Sequence, residues 1–250
     1  YSLGDVYGYS GIEKSYEYLL RGKNGAEYRL VDNRGVDQGK FNEKDGIDVI
    51  EGPPLSISID LKLQLIIEDL LLNHVGSVIC MNPFNGEILA FANSPNYDLI
   101  PFVGPVSNEI WNEWNQNPNK PLLNRLISGH YPPGSVFKLV TASLLLENNL
   151  ENYIHDCKGS YQLTKDVVKK CWNPLGHGEL KLDDAIKHSC NVYFYKAVEN
   201  IRYDQLVEMA LKYNFGNLTG IDIPGEKRGL VPTVNYMNKK YRYRDENGIL

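Results

Sequence analysis

The chain has 250 residues and a formal net charge of −5, with 42% hydrophobic and 23% charged residues. That length holds one large domain or two small ones, and the composition is ordinary for a globular protein. The acidic balance argues against a basic nucleic-acid-binding surface. No apolar run approaches the roughly 18 residues of a membrane span, because Glu68 and Asp69 interrupt LQLIIEDLLL.

The chain starts at Tyr1 without a signal peptide, and is read as a fragment of a longer protein. Its first fifty residues are polar and rich in glycine and tyrosine. GIEKSYEYLL places Ile12, Tyr16 and Leu19 or Leu20 on one side of a short helix. EYRLVDNRGV reads as a strand and turn. EGPP at 51–54 marks a linker, so a boundary is expected near residue 52, with 1–52 one domain and 53–250 another. Asp60 is a candidate cap for a helix over LKLQLIIEDLLLNH. GSVICMNPFNGEILAFANSP predicts a β-hairpin turning around Asn85 and Gly86. Residues 107–128 are expected to be partly helical, and helical patterns return at 135–147, 181–199 and 203–213. Helices gathered on an antiparallel hairpin indicate an α+β fold.

The stretch YPPGSVFK carries the chemistry. Pro132, Pro133 and Gly134 stop the chain and set Ser135 at a helix start, where the dipole and unpaired N–H groups favour an oxyanion. Three residues on, Lys138 shares its helical face. A serine hydroxyl is a poor nucleophile until a base takes its proton. A lysine packed among apolar neighbours has a neutral amine to offer. By composition alone an S-x-x-K match arises about once in a chain this long. A second element, Ser189-Cys190-Asn191 between two helical patterns, offers a hydroxyl for proton relay and an amide for a substrate. Read by itself, it is equally a small-residue bend.

S-x-x-K with an S-x-N element belongs to penicillin-interactive serine enzymes. GYSGIEKSYEYLLRGKNG, ISIDLKLQ, VICMNPFNGEILAFANSPNYD, LLNRLISGHYPPGSVFKLVTA, HGELKLDDAIKHSCNVYFY and GIDIPGEKRGLVPT follow in order. Together they resemble a class B penicillin-binding protein of the elongation type over nearly the whole chain. The resemblance implies the penicillin-binding transpeptidase fold, preceded by the end of a pedestal or dimerisation domain. It implies a DD-transpeptidase that cross-links peptidoglycan stem peptides. Ser135 would attack the penultimate D-alanine carbonyl and expel the terminal D-alanine. Lys138 would act as base, and Ser189 and Asn191 would complete the relay and the substrate contacts. β-Lactams would acylate Ser135. It further implies an extracytoplasmic protein, anchored in the inner membrane by a segment outside this chain, that works with a SEDS-type glycan polymerase and the elongation complex. The family's third element, K-[ST]-G, is absent. Truncation before its strand is the expected reason, and the 250 residues alone are expected to be inactive. A penicillin-binding sensor or a non-catalytic scaffold for a polymerase is the alternative. A serine β-lactamase shares the motifs, but the first fifty residues argue against it.

Of four cysteines, Cys80 lies in the apolar run SVICM and reads as core. Cys157, Cys171, His177 and Cys190 form C-x13-C-x5-H-x12-C, a complete donor set for tetrahedral zinc though not a finger spacing. Some elongation-type members resemble this, with metal ligands at matching places. Residues 157–178 read as a strand-turn-strand excursion that brings the ligands beneath the Ser189 loop. A Cys157–Cys171 disulfide and three unrelated thiols remain as alternatives. His130 reads as structural, and His74, His155 and His188 as helix-end or loop residues. Phe84, Trp172 and Tyr193-Phe194-Tyr195 read as core, and KKYRYR as an exposed loop.

Overall fold

The computed structural model describes residues 7–41 and 46–241, and these fall into two compact units, one of the described residues up to 129 with 220–227 and one of residues 130–219 with 228–241. The first unit begins with two short helices, α1 (Gly11–Ser15) and α2 (Glu17–Leu20), separated where Tyr16 leaves helical geometry. Strands β1 (Arg29–Val31) and β2 (Asp37–Lys40) pair antiparallel. The Asp32 carboxylate closes their turn by accepting from the Arg34 and Val36 N–H groups.

Asp60 caps α3 (Leu61–Leu70) as expected, accepting from the N–H groups of Lys62 and Leu63 at 2.9 and 3.1 Å. The expected hairpin is β3 (Gly76–Met81) with β4 (Ile88–Ser94), Gly76 opposite Ser94. Gly86, at φ +80°, supplies the left-handed residue of its turn. Ile67 of α3 is buried against Ala90 and Ala92 of β4, whose methyl groups let the helix sit close to the sheet. The Gln64 amide accepts from the Phe91 N–H at 2.7 Å and donates to the Phe91 carbonyl at 3.3 Å, satisfying one residue of the β4 edge. A 3-10 turn (Ile100–Val103), α4 (Asn108–Gln116) and α5 (Arg125–Ser128) follow. Arg125 is buried and donates to the carbonyls of Asn119, Lys120 and Leu123, fixing the chain that leads to the second unit's first residue.

The second unit is built on α6 (Phe137–Glu147), which follows a 3-10 turn at Gly134–Val136. This helix is apolar on several sides because it serves two clusters. Val140 and Leu144 meet Met209 and Ala210 of α9 (Tyr203–Lys212). Ala142 and Leu145 join a larger cluster with α7 (Leu182–Lys187) and α8 (Asn191–Ala197). The expected single excursion at 157–178 is four strands. Taken in chain order they are β5 (His155–Cys157), β6 (Ser160–Gln162), β7 (Val168–Lys170) and β8 (Gly178–Leu180), with β5 paired to β8 and β6 to β7. Strands of three residues are too short to show a two-residue alternation in the sequence.

Several core or loop expectations are corrected. Phe84 is 97% exposed in the hairpin turn, and Trp172 is 64% exposed, so neither is core. Tyr193 and Phe194 are buried, but Tyr195 is half-exposed. Lys239, Lys240 and Tyr241 belong to α10 (Val234–Tyr241), and residues 242–244 of KKYRYR lie outside the described residues. Cys80 is half-buried against the α3–hairpin cluster. His155 is in a strand and stacks on Tyr153.

Candidate active site and thiol–imidazole cluster

The structure brings the four sequence-predicted polar residues together on one ammonium group. Lys138 Nζ lies 3.2 Å from Ser135 Oγ, 3.0 Å from Ser189 Oγ, 2.8 Å from the Ser189 carbonyl oxygen and 2.7 Å from Asn191 Oδ1. Ser135 stands in the 3-10 turn just ahead of α6 and is open to solvent. Lys138 is one turn in and half-buried. Burial lowers its pKa below the ordinary lysine value of 10.5; the nearby Cys171 and Cys190 oppose that shift. Four polar oxygens lie within reach of the amine, and the Phe194 ring centroid is 5.9 Å from it. Four acceptors face at most three N–H bonds, so one acceptor is always left over. Once neutral, the amine keeps two donors and turns a lone pair toward one hydroxyl.

The local fold explains how Ser189 and Asn191 reach Lys138. Helix α7 ends in a Schellman turn, with Cys190 N–H donating to the Ala185 carbonyl at 2.9 Å and Ser189 N–H to the Ile186 carbonyl at 3.0 Å. Ser189 takes the left-handed position, at φ +47°, where glycine is usual. Cys190 then caps α8, its sulfur accepting from the Tyr193 N–H at 3.4 Å. The turn so aims Ser189 and Asn191 at Lys138 and sends the Cys190 side chain, fully buried, the other way. Asn191 Oδ1 is used on Lys138, while its Nδ2 makes only a 3.5 Å contact with the Lys170 carbonyl. That amide donor is free to turn to a substrate carbonyl.

Behind the turn, one donor atom each from Cys157, Cys171, His177 and Cys190 lie within 4.8 Å of one another. Cys171 Sγ is 3.6 Å from His177 Nδ1 and 3.9 Å from Cys190 Sγ. A tetrahedral zinc with Zn–S bonds of about 2.3 Å has edges of about 3.8 Å, so the spacing fits. The three cysteines are buried thiols without disulfides, so the expected rival Cys157–Cys171 bridge is not formed. Among the described residues, His177 Nε2 is the one buried side-chain nitrogen or oxygen without a hydrogen-bond partner. Burial pushes the Cys190 thiol up to about 12; a bound cation is the kind of group that offsets such a cost. The backbone reinforces the cluster. His177 N–H donates to the Cys157 carbonyl and Cys171 N–H to the Gly159 carbonyl, each at 2.9 Å.

His130 is held apart from this chemistry, its Nε2 2.9 Å from the Arg228 carbonyl. His74 follows α3, and His188 ends α7. Trp172 was missed by sequence reasoning. Its indole N–H donates to the His188 carbonyl at 2.9 Å, and its ring meets His177 edge-on at 5.1 Å. Its place directly after a metal-type cysteine was the available signal.

Residues 76–242 match the family described as the penicillin-binding protein transpeptidase domain, and residues 1–51 the penicillin-binding protein dimerisation domain. The peptidoglycan D,D-transpeptidase MrdA of Escherichia coli (strain K12) is 32% identical over 235 residues, 93% of this chain and 37% of the relative. The chain therefore spans little more than a third of that relative's length. Penicillin-binding protein PBP2 from Helicobacter pylori superposes with a TM-score of 0.79 at 32% identity, over 95% of this chain and 45% of that one. A chain from a structure described as "Structural coordination of polymerization and crosslinking by a peptidoglycan synthase complex" gives a TM-score of 0.78 at 27% identity, over 96% and 44%.

Proposed function

The chain belongs to the penicillin-binding protein transpeptidase family, and on that premise we propose that it is part of an elongation-type peptidoglycan D,D-transpeptidase working through a serine acyl-enzyme. The carrying observation is the contact of one lysine with Ser135, Ser189 and Asn191. Neutral Lys138 takes the Ser135 proton as Oγ attacks the penultimate D-alanine carbonyl of a stem peptide. The C–N bond breaks, and the terminal D-alanine leaves as an amine, receiving that proton from Lys138 through Ser189. Asn191 Nδ2 holds the donor's amide carbonyl. An amine of a second stem peptide then attacks the ester, forms the cross-link and returns the proton to Ser135. β-Lactams enter the same first step and stay.

Residues 1–52 are assigned to the end of the dimerisation domain and 53–250 to the N-terminal part of the transpeptidase domain. The chain contains no K-[ST]-G tripeptide. We assign that element to the rest of the parent and expect these 250 residues alone to be inactive. No helix among the described residues is long and apolar enough to cross a membrane. The parent is assigned to the extracytoplasmic face of the inner membrane, anchored by another segment. A SEDS-type polymerase and the elongation complex are its proposed partners, in keeping with the synthase complex above. Cys157, Cys171, His177 and Cys190 are assigned as ligands of a structural zinc, whose contribution is to fix the turn that carries Ser189 and Asn191.

Fluorescent penicillin labelling of the full-length protein tests the reading. Label that disappears in Ser135→Ala establishes the acyl-enzyme. No label on folded wild type favours the scaffold alternative. Label without turnover of a D-Ala-D-Ala donor favours the sensor.

A further inference from the structure

We propose that Lys170 selects the acyl donor by charge, its ammonium taking a carboxylate on the residue that precedes the penultimate D-alanine. The proposal rests on the acyl-transfer reading above. Lys170 ends β7, and its backbone already touches the candidate site, because its carbonyl receives Asn191 Nδ2 at 3.5 Å. An amide nitrogen carries two hydrogens. With one turned to the Lys170 carbonyl, the other is left for the carbonyl of the donor's amide. That carbonyl belongs to the residue ahead of the penultimate D-alanine. The substituents of that residue therefore come to lie beside residue 170.

The pairing of β6 with β7 gives the lysine side chain its direction. Lys169 stands opposite Tyr161, and Lys170 opposite Ser160. Residues opposite one another share a face of the ladder, and successive residues alternate between faces. Tyr161 packs on the core cluster and against the Tyr195 ring, and Cys171 is buried in the same cluster. The face of Tyr161, Lys169 and Cys171 is thus turned to α8 and the core, and the face of Ser160 and Lys170 is turned out. Lys170 is exposed, and among the described residues its ammonium has neither an ion-pair nor a hydrogen-bond partner. Other lysines of this region are committed, Lys196 to Glu199 at 2.7 Å and Lys158 to Asp156 at 3.8 Å. The groups that hold Lys138 are two hydroxyls, a carbonyl and an amide. No acidic side chain among them competes for Lys170. A compact charge on a flexible stem, with no partner of its own, suits a carboxylate brought by the substrate.

The test uses two penicillins on the full-length protein. Benzylpenicillin and α-carboxybenzylpenicillin differ by one carboxylate, on the carbon next to the acylamino carbonyl. The readout is the ratio of their second-order acylation rate constants, carboxylated over plain. In Lys170→Ala this ratio is expected to fall about 2- to 5-fold, which is what an exposed ion pair supplies. In Lys170→Glu it is expected to fall about 10-fold, as attraction gives way to repulsion. Lys170→Arg keeps the charge and is expected to retain the ratio. Lys169→Ala removes the same charge from the other face, and its ratio is expected to match wild type. Added salt should lower the wild-type ratio and leave that of Lys170→Ala in place. Because each ratio is measured on one preparation, an inactive fraction cancels. Should the alanine variant fail to fold, Lys170→Gln removes the charge and keeps most of the stem, and the same fall is expected. A ratio unchanged in the uncharged and Lys170→Glu variants overturns the proposal. An equal fall in Lys169→Ala also overturns it, because the effect would then be one of net charge. Wild type that neither penicillin acylates sinks the acyl-transfer reading itself, and the proposal with it.

Discussion

Gly176 and Gly178 flank His177, and they separate two effects that glycine substitutions usually confound. Both have left-handed backbone, φ +82° and +72°. Alanine at either position carries the steric cost of that conformation, about 1–2 kcal/mol. The space around them differs. A Cβ at Gly178 meets nothing within 4 Å, whereas one at Gly176 would sit 1.9 Å from the Cys157 carbonyl oxygen and 2.9 Å from the Gly159 nitrogen. Those are backbone atoms and have no rotamer to change. The same carbonyl accepts the His177 N–H, so relieving the clash breaks that bond, for roughly a further 0.5–1.5 kcal/mol. It also moves the Cys157 thiol away from the His177 imidazole, the two proposed to share a zinc. Gly178→Ala is therefore expected to cost about 1–2 kcal/mol and keep its metal. Gly176→Ala is expected to cost more than that and lose it.

The assay is zinc content after dialysis against a mild chelator, alongside the unfolding midpoint of each full-length variant. Stoichiometric zinc in Gly178→Ala with little or none in Gly176→Ala supports the cluster. Equal zinc and equal midpoints in the two variants would refute the reasoning, because the close approach to the Cys157 carbonyl would then not hold the ligands together. Wild type without zinc would remove the metal while leaving the predicted stability difference to be read.

Lys138→Arg keeps a cation in place but removes a group that can lose its proton. Penicillin acylation is expected to fall about 10²- to 10⁴-fold, and a fall under tenfold would mean that another group serves as base. Desolvation lowers the Lys138 pKa. On the proposed mechanism, in which the neutral amine is the active form, acylation by the wild type should rise with pH, with a midpoint below 10.5, the ordinary lysine value. The sign for stability is the same. Between the lowered folded pKa and the unfolded one, the unfolded chain binds more protons, so Lys138's contribution becomes less unfavourable as pH rises. A rising limb centred at or above 10.5 contradicts this. Ser189→Gly relieves a left-handed serine while removing a relay hydroxyl. Its stability should change by no more than about 1 kcal/mol, with acylation at least about tenfold slower; rates equal to wild type would exclude the hydroxyl from the relay.

Much of the site was legible because it is local. Ser135 and Lys138 are one turn apart in sequence and in space, and Asp60 and the Asn85-Gly86 turn announce α3 and the hairpin by short-range chemistry. What was not legible depends on contacts distant in sequence. The four strands around Cys157–Leu180 are short and mixed in composition; their pairing rests on Gly159 and Gly176, each closely approached by the other stretch's backbone. Trp172 was read as core; that its N–H is committed to the His188 carbonyl, 16 residues on, shows only in the fold. Of the acceptors around Lys138, only Ser135 is local; the others lie 51 and 53 residues on.

Cys190 shows why the metal-type cluster and the candidate catalytic residues form one design. Its N–H closes α7 on Ala185, its sulfur caps α8 on Tyr193, and that same sulfur stands 3.9 Å from Cys171. The residues on either side, Ser189 and Asn191, hold Lys138. A Schellman turn alone does not fix this geometry firmly, because its left-handed position is filled by serine, at a cost glycine would avoid. Glycine there would lack the hydroxyl that faces Lys138. The strain has to be offset by contacts that pull on the next residue. The buried cap and the thiol cluster are such contacts, and they act on the side of the turn away from substrate. A thiol–imidazole cluster in this position thus allows a serine to occupy a glycine position.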